Sequence, residues 1–474
     1  SDEVRVYKGI PFAAPPVGDL RWRAPQPPAH WEGVRAADQF SPVCMQQTRG
    51  PAAASGPAPS EDCLYLNVWT SAKAPGERRP VIVWTYGGAF TGGAGSLAMY
   101  NGEALAKKGA VVVTYNYRLG VFGFLASPEL TKESGHNASG NYALMDMATV
   151  LKWVQKNIAS FGGDPKRVTI DGESAGAMLV SAMVGSPEGK GLFQRAIAQS
   201  GAWMGISIGH MTTLATAEES GQKLAQAAGA ASIAELRAKP ADELLKNSRG
   251  PFGIVVDGWY VPEDLSLTYA HHKENDVDVL VGSNRDEGTF FSRPGGVNAE
   301  QFSGTAKRRF SDQVDAYLKL YPASSDAEAG ASQLASFRDE MGWHMREWAQ
   351  LQSARGKGKA YLYFFTHVPP SAPGQPSRGA THTADLAYMF DNPPPNATWT
   401  DTDRQLADTM SSYWVNFAAT GDPNGKGLPE WPAYKAKSEK TMVLGDTVTA
   451  GSGIDPAMLS FYDSYYAKLS SGGL

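Results

Sequence analysis

Six short runs dense in β-branched and aromatic residues punctuate the chain: PVIVWTY (80–86), AVVVTYNY (110–117), RVTIDG (167–172), RAIAQSG (195–201), DVLVGSN (278–284) and AYLYFFTH (360–367). Each is close to continuous in apolar side chains, the pattern of a strand buried on both faces of a mainly parallel sheet. Between them the period changes. In NYALMDMATVLKWVQKNIASFGG (141–163), Leu144, Met147, Leu151, Val154 and Ile158 form one stripe at helical spacing, and Gly162 offers a stop. Strands alternating with helices predict an α/β fold with crossover connections. Two stretches, about 212–250 and about 298–356, read as mostly helical and lie outside the strand pattern. With no linker or internal repeat to divide residues 1–474, they are expected to be insertions covering the sheet's functional edge within a single domain.

Composition narrows this picture only slightly. A chain of 474 residues, 42% of them hydrophobic, can bury a large core without a metal or disulfide scaffold. The net charge of -5 gives no basic footprint for nucleic acid, and no apolar run approaches the length of a membrane span. No charged and apolar leader precedes Ser1, so any export signal is expected to have been removed or never present. Cys44 and Cys63 bracket MQQTRGPAAASGPAPSED (45–62), a flexible loop with a cysteine at each side of its neck. A disulfide there would stabilise the fold by about 3 kcal/mol through loop entropy. It would imply an oxidising compartment, so the protein is expected to be secreted or periplasmic. Two buried free thiols are the alternative.

The pattern Gly-x-Ser-x-Gly occurs twice, around Ser174 in VTIDGESAGAMLV (168–180) and around Ser207 in Gly205-Ile206-Ser207-Ile208-Gly209. Context separates the two copies. Ser174 follows an expected strand and precedes a run of small apolar residues suited to a tightly packed helix, which is what a nucleophile elbow requires. Ser207 has no strand immediately before it and reads as a loop serine. A serine nucleophile also needs amide donors, a base and an acid. Gly87, Gly88 and Ala89, directly after the strand 80–86, can turn N–H groups toward the elbow, and the amide of Ala175 would complete the set. In this type of fold the acid and then the histidine follow the serine in the chain. Asp286 and Glu287 both lie just past a strand end, and spacing does not choose between them. Of the downstream histidines, His344 sits within an expected helix and His367 at a strand end. His382, in the loop beyond that strand, is preferred, with His367 left open.

Taken in order, YKGIPFAAPPVGDLRWRAPQPP, SEDCLYLNVWTS, VIVWTYGGAF, NYRLGVFGFL, GNYALMDMATVLKWVQKNIASFGGDPKRVTIDGESAG and WVNFAATGDPNG with WPAY closely resemble the signatures of the type-B carboxylesterase and cholinesterase family, on its microbial, para-nitrobenzyl-esterase-like side. The resemblance covers nearly the whole chain. It implies an α/β-hydrolase fold and ester hydrolysis through Ser174, Glu287 and His382, with Gly88, Ala89 and Ala175 as the oxyanion hole. It further implies an active-site carboxylate at Glu173, which would favour a cationic imidazole, and a buried supporting serine at Ser200. An Arg21–Glu61 salt bridge and a Cys44–Cys63 disulfide loop also follow. The implied partner is a small-molecule ester, with no cofactor and no metal.

Departures from the family pattern limit the substrate. Residues 45–62 contain no aromatic side chain, so choline, which would stack on one there, is not expected as a substrate. Asp171 stands where the family usually carries an apolar aromatic, and Ala177 replaces a common glycine. The chain also begins inside what should be the first hairpin, which leads us to expect an edge strand missing or trimmed. A specialised ester, a carbamate or the polycarboxylate ester of a toxin remains open, with Arg285, Arg293 and Arg378 as candidate contacts for an anionic acyl group. A non-catalytic adhesion or binding protein on the same fold is the alternative from another class. Asn137 and Asn396 lie in glycosylation sequons.

Overall fold

The structure, a computed structural model, describes residues 3–47, 58–204, 211–248, 252–292, 296–394 and 398–471. The apolar runs form the middle of a ten-stranded sheet. Its strands are β1 (Arg5–Pro11), β2 (Tyr65–Thr70), β3 (Arg79–Thr85), β4 (Val111–Tyr115), β5 (Gly163–Glu173), β6 (Arg195–Gln199), β9 (Asp278–Asn284), β10 (Ala360–Phe365), β11 (Thr441–Leu444) and β12 (Val448–Gly451). The two-residue strands β7 (Thr212–Thr213) and β8 (Val255–Val256) pair separately. Across the large sheet the order is β1-β2-β4-β3-β5-β6-β9-β10-β11-β12. From β4 to β11 neighbouring strands are parallel, whereas β1–β2, β2–β4 and β11–β12 pair antiparallel. Val81 to Trp84 and Val111 to Val113 are fully buried, as expected of parallel strands covered on both faces. This is the α/β-hydrolase fold.

Helix α1 (Tyr142–Asn157) carries the predicted stripe, continues through one tight turn at Ile158–Phe161 and stops at Gly162, whose φ of 83° closes the helix in the left-handed region. Helix α2 (Ala175–Gly185) leaves directly from β5 and is built almost wholly of small and apolar residues, nearly all buried. Helices α3 (Leu214–Ala227), α4 (Ile233–Ala238) and α5 (Ala241–Asn247) form the first of the two mostly helical stretches, and α6 (Ala299–Phe310), α7 (Val314–Leu320) and α8 (Asp326–Arg355) the second. Helix α8 packs against β9, β10 and the turn at Glu287–Phe290, and α9 (Asp401–Thr420) against β3 and β5.

Two connections pin the N-terminal segment. Cys44 and Cys63 form a disulfide. Arg21, 6% exposed, grips Glu61 through Nε (2.6 Å) and a terminal nitrogen (2.5 Å). Its remaining nitrogen donates to the carbonyls of Arg237 (2.9 Å) and Lys239 (2.7 Å) at the end of α4. Arg21 therefore joins the N-terminal segment to the first helical stretch. Ser207, Arg293 and Asn396 lie outside the described residues.

Candidate active site

Ser174 occupies the residue between β5 and α2, with φ 56° and ψ -124°. A non-glycine residue there costs roughly 1–3 kcal/mol, and such strain persists only where the surroundings impose it. Here the Ser174 N–H donates to Gln199 O on β6 (2.9 Å), and Ser174 O accepts from Met178 in the first turn of α2 (3.0 Å). The glycine loop after β3 lies against this corner. A side chain on Gly87 would place its first carbon 2.6 Å from Glu173 Oε2 and 2.9 Å from Ser174 Cβ, so glycine is required by proximity. Gly88, Ala89 and Phe90 then follow with φ of 110°, 52° and 61°, three consecutive positive values that swing the backbone over the elbow. Among the described residues the N–H groups of Gly88, Ala89 and Ala175 donate to no protein carbonyl. The loop is held further along by Gln46, whose amide donates to Gly93 O (2.8 Å) and accepts from Gly93 N–H (3.0 Å).

Glu287 opens the turn after β9 and is fully buried. One carboxylate oxygen is hydrogen-bonded to His382 Nδ1; the other accepts from Ser200 Oγ (2.5 Å) and Asn284 N–H (2.8 Å). Asn284 also donates its side-chain amide to His382 O (3.1 Å), so one residue fixes both partners. On the far side of the ring, His382 Nε2 lies 3.2 Å from Glu173 Oε1 but without hydrogen-bond geometry, and neither atom has a hydrogen-bond partner. Burial disfavours a charged imidazole. The carboxylates of Glu287 and Glu173 outweigh it and raise His382 to about 9. Burial, opposed by the His382 charge, raises Glu173 to about 8.

The same turn separates the two acids that spacing left open. Asp286 accepts from Ala380 N–H (2.7 Å) and donates its own N–H to Ala380 O (2.9 Å), while Thr289 Oγ1 lies 2.8 Å from Arg378 O. Asp286 thus ties the turn to the loop carrying His382 and does not meet the imidazole. The other histidines have partners of their own. His367 sits between Asp403 (2.8 Å) and Asp446 (2.6 Å). His344, buried in α8, accepts from Met204 N–H (3.3 Å) and is lowered by that burial to about 4.

Sequence reasoning missed what lies below and beside this group. Asp385, fully buried, accepts from Gln199 (2.8 Å), Tyr363 (2.8 Å) and Asn284 (3.2 Å). Its position three residues after His382 was visible; its partners come from three strands far apart in the chain. Phe290, which ends the turn opened by Glu287, and Phe291 next to it stay about half exposed with ring centroids 5.6 and 4.9 Å from His382. Two adjacent phenylalanines beyond a polar strand end were the available signal. Phe291 also borders a cavity of about 290 Å³ with Val297, Leu334 and Phe337. Among the described residues no cluster of histidine, cysteine and carboxylate side chains is arranged to hold a metal ion.

A profile of the carboxylesterase family matches residues 1–461. The chain belongs to the carboxylesterase family. Similar proteins include the fumonisin B1 esterase of Sphingopyxis macrogoltabida, 38% identical over 95% of this chain and 85% of the relative. The para-nitrobenzyl esterase of Bacillus subtilis is 34% identical over 94% and 92%. Among solved structures, a PNB esterase superposes with a TM-score of 0.86 at 33% identity, covering 97% of this chain and 96% of its own. A carboxylesterase of Geobacillus stearothermophilus gives 0.84 at 33% identity over 98% and 97%. This carboxylesterase is accordingly a serine hydrolase of carboxylic esters. Among its described residues no helix is long and apolar enough to cross a membrane.

Proposed function

We propose that Ser174 is the nucleophile, His382 the general base and Glu287 the carboxylate that orients and stabilises it. His382 Nε2 takes the hydroxyl proton as Ser174 Oγ attacks the ester carbonyl. The amides of Gly88, Ala89 and Ala175 hold the developing oxyanion, each worth about 3 kcal/mol in the transition state. The tetrahedral intermediate collapses, His382 returns the proton to the departing alcohol, and an acyl-enzyme remains. Water attacks it by the same route and frees Ser174. The observation that carries this reading is the buried Glu287–His382 bond, with the far nitrogen of the ring 3.2 Å from Glu173 Oε1 and the next residue, Ser174, held at positive φ. Glu173 steadies the imidazolium, and Ser200 keeps Glu287 in register for Nδ1.

The half-exposed Phe290 and Phe291 favour an ester with an apolar arm lying along them. A second reading, a specialised ester of the kind named for the Sphingopyxis relative, draws on the 38% identity to that protein. Of the three arginines considered for an anionic acyl group, those among the described residues are Arg285, already 3.0 Å from Asp286, and the exposed Arg378. A panel of esters varied independently in acyl and alcohol group, run on the wild type and on Ser174→Ala, tests both readings. We expect the variant to lose about a thousand-fold or more in kcat/KM on every ester. Retained hydrolysis would remove Ser174 from the mechanism, and a preference for anionic acyl groups would favour the specialised substrate. The disulfide supports assignment to an oxidising compartment, secreted or periplasmic.

A further inference from the structure

Asp171 lies in the middle of the sheet, on β5, with Trp84 of β3 opposite it on one side and Ile197 of β6 on the other. It is fully buried, and both carboxyl oxygens are without a hydrogen-bond partner. Strand alternation puts Thr169, Asp171 and Glu173 on one face. The register carries the same face across the sheet, because Gln199 lies opposite Glu173 and Gly282, and Gly282 lies opposite Tyr363. Gln199, Tyr363 and Asn284 all donate to Asp385 on that face, so Asp171 and Asp385 belong to one polar layer below His382.

Two buried carboxyls here are unequal. Asp385 has three side-chain donors to stabilise a negative charge; Asp171 has no side-chain donor, only the weak pull of the adjacent Gly172 N–H, and a buried carboxylate so poorly supplied and without a counter-ion is strongly disfavoured. In the same layer, two acceptors, Gln199 Oε1 and Asn284 Oδ1, also have no partner. We propose that Asp171 is a positioning residue held as a neutral carboxylic acid in the same layer as an ionised Asp385, so that the two together present one negative charge beneath His382 and not two. Burial and then the charge of Asp385 push Asp171 well up, and burial raises Asp385 against the pull of its three donors. The titratable groups that bear on the pair are Tyr363 from β10, Glu287 from the turn after β9, Glu173 from β5 and His382. Trp84 from β3 and Trp414 from α9, whose ring lies 5.6 Å from that of Tyr363, add no charge. Asp385 is coupled to His382 both electrostatically and through Asn284, which bonds Glu287 and the His382 carbonyl. A second ionised carboxylate would hold His382 further toward the cationic form, which cannot accept the Ser174 proton. This inference rests on His382 as the base.

Isotope-edited infrared spectroscopy with ¹³C-aspartate, combined with pH profiles of kcat/KM, tests it. We expect the wild type to show a neutral aspartic-acid band at pH 7 that is lost in Asp171→Asn. The acidic limb of the profile should stay in place in Asp171→Asn, which preserves the charge, and move to lower pH by about one unit in Asp385→Asn, which removes it. A wild type with no neutral aspartic-acid band at pH 7 would overturn the proposal, as would an Asp171→Asn limb displaced as far as that of Asp385→Asn. If Asp171→Asn does not fold, the wild-type band decides alone. Loss of the acidic limb in every protein would count against His382 as base, while the band would still report on Asp171.

Discussion

Two carboxylates flank one buried imidazole, Glu287 on Nδ1 and Glu173 3.2 Å from Nε2. The arrangement makes turnover and stability respond oppositely to pH. His382, raised to about 9 from an ordinary value near 6.5, must be neutral to act as the proposed base, so kcat/KM should climb with pH and reach its plateau on the alkaline side. Rates measured across the range will check this, and a plateau already complete at pH 6 would contradict it. Because the folded pKa exceeds the unfolded one, His382 contributes stability that is full below about 6.5 and lost as pH rises through about 9. Glu173→Gln should move the acidic limb of the rate profile down by about a unit and flatten the alkaline decline in melting temperature. Asp286 illustrates why spacing did not choose between it and Glu287. In a tight turn, adjacent side chains leave in different directions: Glu287 toward the imidazole and Asp286 toward Ala380. Chain order alone does not encode that choice.

Elements set these distances through backbone contact more than through side chains. Gly87→Ala would drive a methyl group into Glu173 and Ser174, so we expect a loss of kcat of about a hundred-fold or more with the far-ultraviolet spectrum unchanged. An active Gly87→Ala variant would show that the glycine loop can retreat. The central strands were readable because both of their faces are covered, which forces the sequence to be apolar at nearly every position. The outer strands were not. In β2, Asn67 breaks the apolar run since it is needed to accept from Gly9 N–H (3.0 Å) and donate to Thr114 (3.1 Å), and β1 remains largely half-buried. Strands β11 and β12 are four residues each, too short for a period to register. The polar layer holding Asp385 was equally hidden, since its members come from β6, β9 and β10 and meet only through the register of the sheet.

Across the whole molecule, the segment preceding β2 is fastened at points far apart in sequence. Arg21→Ala would leave Glu61 and two carbonyls at the end of α4 without their cation, costing about 3–5 kcal/mol by analogy with other broken buried pairs. Denaturant titration measures this, and a cost below about 1 kcal/mol would mean that water replaces the guanidinium. The disulfide acts at a shorter range. Gln46, which clasps Gly93, lies two residues beyond Cys44, so the bond to Cys63 is expected to help position the turn leading from Gly88 and Ala89. Both cysteines are buried, so the test is genetic: replacing Cys44 and Cys63 by serine should slow ester turnover with the far-ultraviolet spectrum unchanged, and wild-type kcat/KM in that variant would show that Gln46 holds Gly93 without the bond.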